Sequence, residues 1–242
     1  MPISFRRSVF AGPGLLFPAL LISLLSLSAA QAIGQEANPQ ATPPTPLMRQ
    51  LNRIDFAIVA AGSIGDAVSG IEQRDASTTH SLLTIKPSRT VGELVTLRYT
   101  IKPWVGFEYN FGNVRYTQNL TFTPPPSQNL LLGGVQNGVH EITFGYVAHP
   151  RKFFGIQPYL GVGGGTMHFT PTRGGGQGLP FQYRAVYYYN LGVEDNFPHS
   201  PFGMRLGFRQ LIYLAPDFLQ NYLTITRRER DSEPTIGFFV RF

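Results

Sequence analysis

Residues 234–242 read Pro-Thr-Ile-Gly-Phe-Phe-Val-Arg-Phe and alternate with a period of two. In an extended strand Ile236, Phe238, Val240 and Phe242 fall on one face, and Thr235, Gly237, Phe239 and Arg241 on the other. A strand with one continuous apolar face must set that face against something apolar, and its backbone must find partners along both edges. Seven further segments follow the same rule. The alternation predicts strands over 55–64, 92–102, 104–116, 139–148, 153–169, 181–194 and 202–214. From Arg53 onward no segment carries a helical period of useful length.

The connections between these strands alternate in length. Those over 65–91, 117–138, 170–180 and 215–232 are long, and those near 102–104, 149–152 and 195–201 are short. Long connections on one side and short turns on the other are the pattern of a membrane barrel, which needs an even number of strands and brings both termini to the short-turn side. Lipid offers no hydrogen-bond partner to an open sheet edge, so such a sheet must close. The fold class predicted is all-β: an eight-stranded antiparallel up-and-down transmembrane β-barrel with periplasmic N- and C-termini.

Composition agrees with a lipid-facing surface. Only 14% of the residues are charged, while 13% are aromatic; ordinary soluble domains carry about 25% charged residues. There are no cysteines, which excludes thiol chemistry and cysteine-ligated metals. The formal net charge of +6 includes Arg6 and Arg7, and no Lys/Arg block follows, so no nucleic-acid partner is expected. A soluble lipocalin-like barrel fits less well, because too many Tyr, Phe and Leu residues alternate on too many strands for one small cavity.

Residues 1–32 read as a signal peptide. Arg6 and Arg7 precede an apolar run over Leu15–Leu27, and Ala30-Gln31-Ala32 supplies a small-residue site with cleavage expected after Ala32. Arg6-Arg7 followed by Ser-Val-Phe hints at a twin-arginine route, but that route carries folded cargo, so an ordinary export signal is preferred. Residues 33–52 form a Pro-rich periplasmic linker, and residues 53–242 the barrel.

With the apolar faces set toward lipid, Arg98, Glu108, Glu141, Arg184, Glu194, Arg205, Arg209 and Arg241 point into the lumen. Buried charges must be paired, so a lumen ion-pair network of these eight residues is expected. An interior of this width is filled by side chains. Gly161-Val-Gly-Gly-Gly165 lacks the Lys and helix of a phosphate loop, and reads instead as small lumen residues that admit bulky neighbours.

The whole of residues 53–242 resembles the OmpA-type outer-membrane β-barrel proteins: eight strands, a signal peptide and a terminal aromatic residue. The resemblance implies localisation in the outer membrane and Phe242 as the signal read by the barrel insertion machinery. It implies contact with outer-membrane lipid and lipopolysaccharide, a monomeric state and ligand contact through the outer loops. It also implies a structural, adhesive or surface-binding role without catalysis. Two alternatives share the scaffold, a lipid A deacylase-like enzyme and a narrow porin-like channel. Enzymes of that kind look like His-x-Ser-Asn with a nearby Glu. None of His80, His140, His149, His168 and His199 is followed two places later by Ser. No catalytic residue, cofactor or metal ligand is assigned.

Overall fold

The computed structural model describes residues 45–71, 82–123, 130–220 and 223–242. The expected signal peptide, the linker over 33–44 and His80 lie outside the described residues. A short helix, α1 (Pro46–Leu51), precedes ten strands: β1 (Ile54–Gly65), β2 (Val68–Ile71), β3 (Leu82–Pro87), β4 (Thr90–Lys102), β5 (Val105–Thr123), β6 (Leu130–Ala148), β7 (Gln157–Pro171), β8 (Gln182–Asn196), β9 (Phe202–Leu214) and β10 (Arg228–Arg241).

Eight of these strands form the wall. β4 to β10 pair in sequence order, β1 lies between β10 and β4, every ladder is antiparallel, and the β5–β6 ladder closes the cylinder. The expected eight-stranded antiparallel barrel is therefore the architecture observed. The short turns gather at one end, where the His149 amide donates to Trp104 O at 2.9 Å and the Arg241 amide donates to Pro201 O at 2.9 Å. β1 starts and β10 finishes at this turn end. The opposite end carries the longer connections and is called the loop end.

Several element bounds differ from the sequence reading. The stretch 65–91, expected as a loop, contains the hairpin of β2 and β3. β4 stops at Thr90, and β3 takes over its place beside β5, pairing Leu82–Pro87 with Gln118–Thr123. Residues 117–138 are mostly strand, since β5 and β6 continue far past the expected limits. β7 starts at Gln157, because Phe153 and Ile156 bridge to each other in a tight turn with Phe154 at φ 49°. β10 begins at Arg228, six residues before Pro234. A proline has no amide to donate, and the β1–β10 ladder passes from Ala61↔Thr235 to Ile64↔Ser232 without pairing the residues between. The helix α1 falls inside the expected linker; Thr45 followed by Pro46 is a favourable helix start.

The pleat keeps one parity along each wall strand, but the chemistry changes partway. Near the turn end the outward positions are apolar: Val105, Phe107, Tyr109 and Phe111 on β5, Ile142, Phe144 and Tyr146 on β6, and Phe202, Met204, Leu206 and Phe208 on β9. β8 contributes Tyr187, Tyr189, Leu191 and Val193, and β10 contributes Ile236 and Phe238. Toward the loop end the order inverts on β5. The next outward residues of β5 are Asn113, Arg115, Thr117 and Asn119, while Tyr116 and Leu120 turn inward. They join Leu83, Ile85, Val135, Val139, Met167, Phe169, Tyr213, Phe218 and Leu223 in one buried apolar core. The inversion is clearest on β5, whereas Ile64 on β1, Val91 on β4 and Ile212 on β9 keep apolar side chains outward toward the loop end.

Candidate functional site: a charged, filled lumen

Cross-strand register sets the chemistry of the turn-side lumen. Directly opposite residues on neighbouring strands include Arg98 and Glu108, Glu194 and Arg205, Arg209 and Glu233, and Asp55 and Arg241. Opposite charges at such positions lie close enough to pair. Arg98 Nε donates to Glu108 Oε2 at 2.7 Å, and its Nη1 donates to Glu194 Oε2 at 3.2 Å. Arg205 Nη2 donates to Glu194 Oε2 and to Asp55 Oδ1, both at 3.0 Å. Arg241 Nη2 lies 3.0 Å from Glu194 Oε1 and 3.5 Å from Asp55 Oδ2. Glu194 therefore receives three guanidinium groups from three strands.

A second layer lies nearer the loop end. Arg209 donates to both oxygens of Glu141, to Glu233 Oε2 at 3.0 Å and to Thr143 Oγ1 at 3.1 Å. Between the layers Glu108 accepts from Asn110 at 3.0 Å, Tyr188 at 3.2 Å and Asn190 at 2.7 Å. Two tyrosine rings fill the remaining width. The Arg98 guanidinium lies 4.3 Å from the Tyr159 ring centroid and that of Arg209 lies 4.6 Å from Tyr188, distances at which a desolvated cation is attracted to the ring face.

Glycines make room for these rings. A Cβ on Gly163 would stand 2.6 Å from Tyr188 Cε1, and one on Gly207 would stand 2.3 Å from Tyr159 Oη. Gly161, Gly163 and Gly165 all face inward on β7, so the glycine run forms a recess in the wall. Two voids along the lumen each offer about 20 Å³, room for one or two water molecules.

The structure brings together seven of the eight residues singled out from sequence. Arg184 stands apart: its Nη2 lies 3.0 Å from Asp217 Oδ1 in the connection after β9. Asp55 and Glu233 belong to the network and were missed. Asp55 has the correct parity at the head of the first strand, and Glu233 lies one residue before the expected start of the last. Glu229 and Asp231 were missed as well. Both are buried on β10, accepting from Tyr213 Oη at 2.8 Å and Ser63 Oγ at 2.6 Å, respectively.

The connection after β9 folds over the loop end, with Phe218 and Leu223 each 1% exposed. Phe218 and Leu219 have φ of 50° and 60°, a costly conformation for side chains of this size. Hydrogen bonds hold them there. The Asp217 and Phe218 amides donate to Gln182 Oε1 at 3.0 Å each, and the Leu219 amide donates to Asp217 Oδ1 at 3.1 Å.

Burial alone would raise the Asp217 carboxyl. The Gln182 side chain, the Leu219 amide and the Arg184 charge outweigh it and hold the group below its ordinary value. A depressed carboxyl contributes stability that is complete above its unfolded value and lost as pH falls through the folded one. The protection of the Phe218 and Leu219 amides, corrected for intrinsic exchange, is therefore expected to fall only below about pH 4. Asp217→Asn is expected to remove that pH dependence, and protection that ignores acid in the unaltered protein would refute the assignment.

The pleat separates His140 and His168 from the lumen carboxylates, while His149 approaches one at the turn end. His140 and His168 face outward on neighbouring strands, with ring centroids 6.4 Å apart, and His168 stacks on Tyr183 at 4.3 Å. Glu141, next to His140 in sequence, points inward to Arg209. His149 Nε2 lies 3.6 Å from Glu194 Oε1 at the turn end. Among the described residues, no group of three or more His, Cys, Asp and Glu side chains is placed to hold a metal ion.

No protein-family model matches the chain, and no curated protein matches it. Among solved structures the chain is similar to the outer membrane protein OprG from Pseudomonas aeruginosa, with 16% identity over 78% of this chain and 95% of that one, at a TM-score of 0.49. It is similar to Neisserial surface protein A, with 14% identity over 78% and 97% and a TM-score of 0.48. It is also similar to the outer membrane protein AlkL in DMPC lipid bilayers, with 15% identity over 86% and 96% and a TM-score of 0.36.

Proposed function

We propose that this chain is an integral outer-membrane β-barrel of OmpA type with a structural, adhesive or surface-binding role and no catalysis. One observation carries the reading: an apolar band faces outward around the turn-side half of the barrel, and the interior it encloses is charged and ion-paired. Leu160, Leu191 and Leu206 are each about half exposed on that band, at 51%, 52% and 50%. A water-soluble monomer seldom exposes a contiguous apolar surface of more than a few hundred Å², whereas a hydrocarbon environment calls for this arrangement. The turn end then faces the periplasm, Phe242 is the insertion signal, export follows cleavage after Ala32, and lipid and lipopolysaccharide surround a monomer.

The filled lumen favours a closed barrel over a porin-like channel. His140 and His168 face away from the inward carboxylates, and His149 Nε2 beside Glu194 bonds no hydroxyl among the described residues, which disfavours the deacylase-like alternative. Planar-bilayer recording of the refolded barrel tests the first point, and mass analysis of outer-membrane lipid A incubated with it tests the second. No steady unitary conductance and unchanged lipid are expected. Regular conductance steps would establish a channel, and loss of acyl chains would establish an enzyme.

A further inference from the structure

We infer that one side of the barrel wall binds the phosphate-bearing headgroups of lipids through a basic collar at the loop-side edge of the apolar band. This rests on the membrane reading above and adds the residues and the headgroup chemistry.

The key stretch is Arg228-Glu-Arg-Asp-Ser-Glu233 on β10. The pleat sends Glu229, Asp231 and Glu233 inward, where they are 0%, 2% and 6% exposed, and sends Arg228 and Arg230 outward into exposure. The next outward positions after Ser232 are Pro234, Ile236 and Phe238. Along β10 the two guanidinium groups therefore stand where the apolar outward positions end, level with the outward Ile212 and Leu214 of β9. Arg227 is exposed beside them.

Two strands away, across β1 and β4, Lys86 is exposed on β3, Arg89 just before β4 and Arg115 on β5. Lys86 lies opposite Asn119, and the Ser88 amide donates to Thr117 O at 2.8 Å, which brings Arg89 to the same edge of β5 as Arg115. Arg115 also donates to Gln136 at 2.8 Å. None of the six cations forms an ion pair among the described residues. Among the described residues, Asp66 and Glu93 are the exposed acids on this side.

The charge is one-sided. At outward wall positions of β6 to β9 the described residues near the same edge are uncharged or imidazole: Gln136, His140, Thr166, His168, Tyr183 and Gln210. Arg173 stands on the loop after β7, and Arg184 is taken up by Asp217. A collar serving only to keep the rim wet would distribute charge around the circumference. A cationic sector at the depth where hydrocarbon gives way to headgroups matches the phosphates found there. Guanidinium groups bind phosphate oxygens in pairs, and each cation near an anionic lipid surface adds to the attraction.

The test is the partitioning of spin-labelled lipid around the refolded barrel in phosphatidylcholine vesicles, comparing labelled phosphatidylglycerol with labelled phosphatidylcholine. The motionally restricted fraction is expected to favour phosphatidylglycerol about fivefold. R228Q/R230Q and R89Q/R115Q are each expected to reduce that preference, and the quadruple variant to abolish it, while E93Q leaves it intact or raises it. Equal partitioning, or a preference that survives the quadruple variant, would overturn the inference. Loss of the preference in inorganic phosphate, but not in chloride at the same ionic strength, would overturn the lipid assignment in favour of free phosphate. A restricted component without headgroup preference removes this inference alone. No restricted component with either lipid removes the membrane reading itself.

Discussion

Arg209→Met is expected to destabilise the barrel by about 3–5 kcal/mol. The size follows from what is left behind. Arg209 is 2% exposed and is the cation shared by Glu141 and Glu233, so methionine leaves two buried carboxylates facing each other with Thr143 as the remaining donor nearby. Tyr188 also loses the charge that lies over its ring. The cost is chiefly that of uncompensated burial rather than of a lost bond. R209M/E233Q is therefore expected to recover a large part of it. Equilibrium urea unfolding in lipid vesicles gives the comparison. A single variant as stable as the parent, or a double variant no better than the single, would show that the pairs contribute little.

Leu206→Arg addresses the other face of the same strand. Leu206 points outward near the middle of the apolar band, between Met204 and Phe208. If hydrocarbon surrounds it, an arginine there costs about 2–4 kcal/mol at the bilayer midplane. If water surrounds it, the cost is close to zero, as for most surface substitutions. The difference is expected to appear in vesicles and to shrink in detergent micelles, where headgroups and water reach the side chain more easily. An unchanged vesicle stability would argue that Leu206 does not face lipid.

These two substitutions lie an odd number of residues apart on β9, and parity of this kind was what the sequence made legible. Period-two alternation located all eight wall strands, and the same alternation sent Arg98, Glu108, Glu194 and Arg205 inward. It did not supply the register. The short turn near 102–104 constrains Arg98 to lie close to Glu108, but nothing in the sequence alone sets Arg209 opposite Glu233, because the long connection between their strands leaves the slide open.

The assumption that apolar positions face outward also has a limited range. It fits β5 up to Phe111 and reverses beyond it, where Tyr116 and Leu120 turn inward and Asn113 and Arg115 face out. This change of environment along a single strand made 117–138 read as a loop. Pro234 concealed the first six residues of β10, with Glu229, Asp231 and Glu233 among them. Arg184 has the parity of a lumen residue, but its partner Asp217 sits in a connection whose path no periodicity describes.

Gel mobility of detergent-refolded protein tests directly whether the barrel is closed and lipid-facing. A closed barrel resists SDS until heated, so the unboiled sample is expected to migrate apart from the boiled one. Identical mobility, in a protein that stays soluble and folded without detergent, would contradict a membrane barrel.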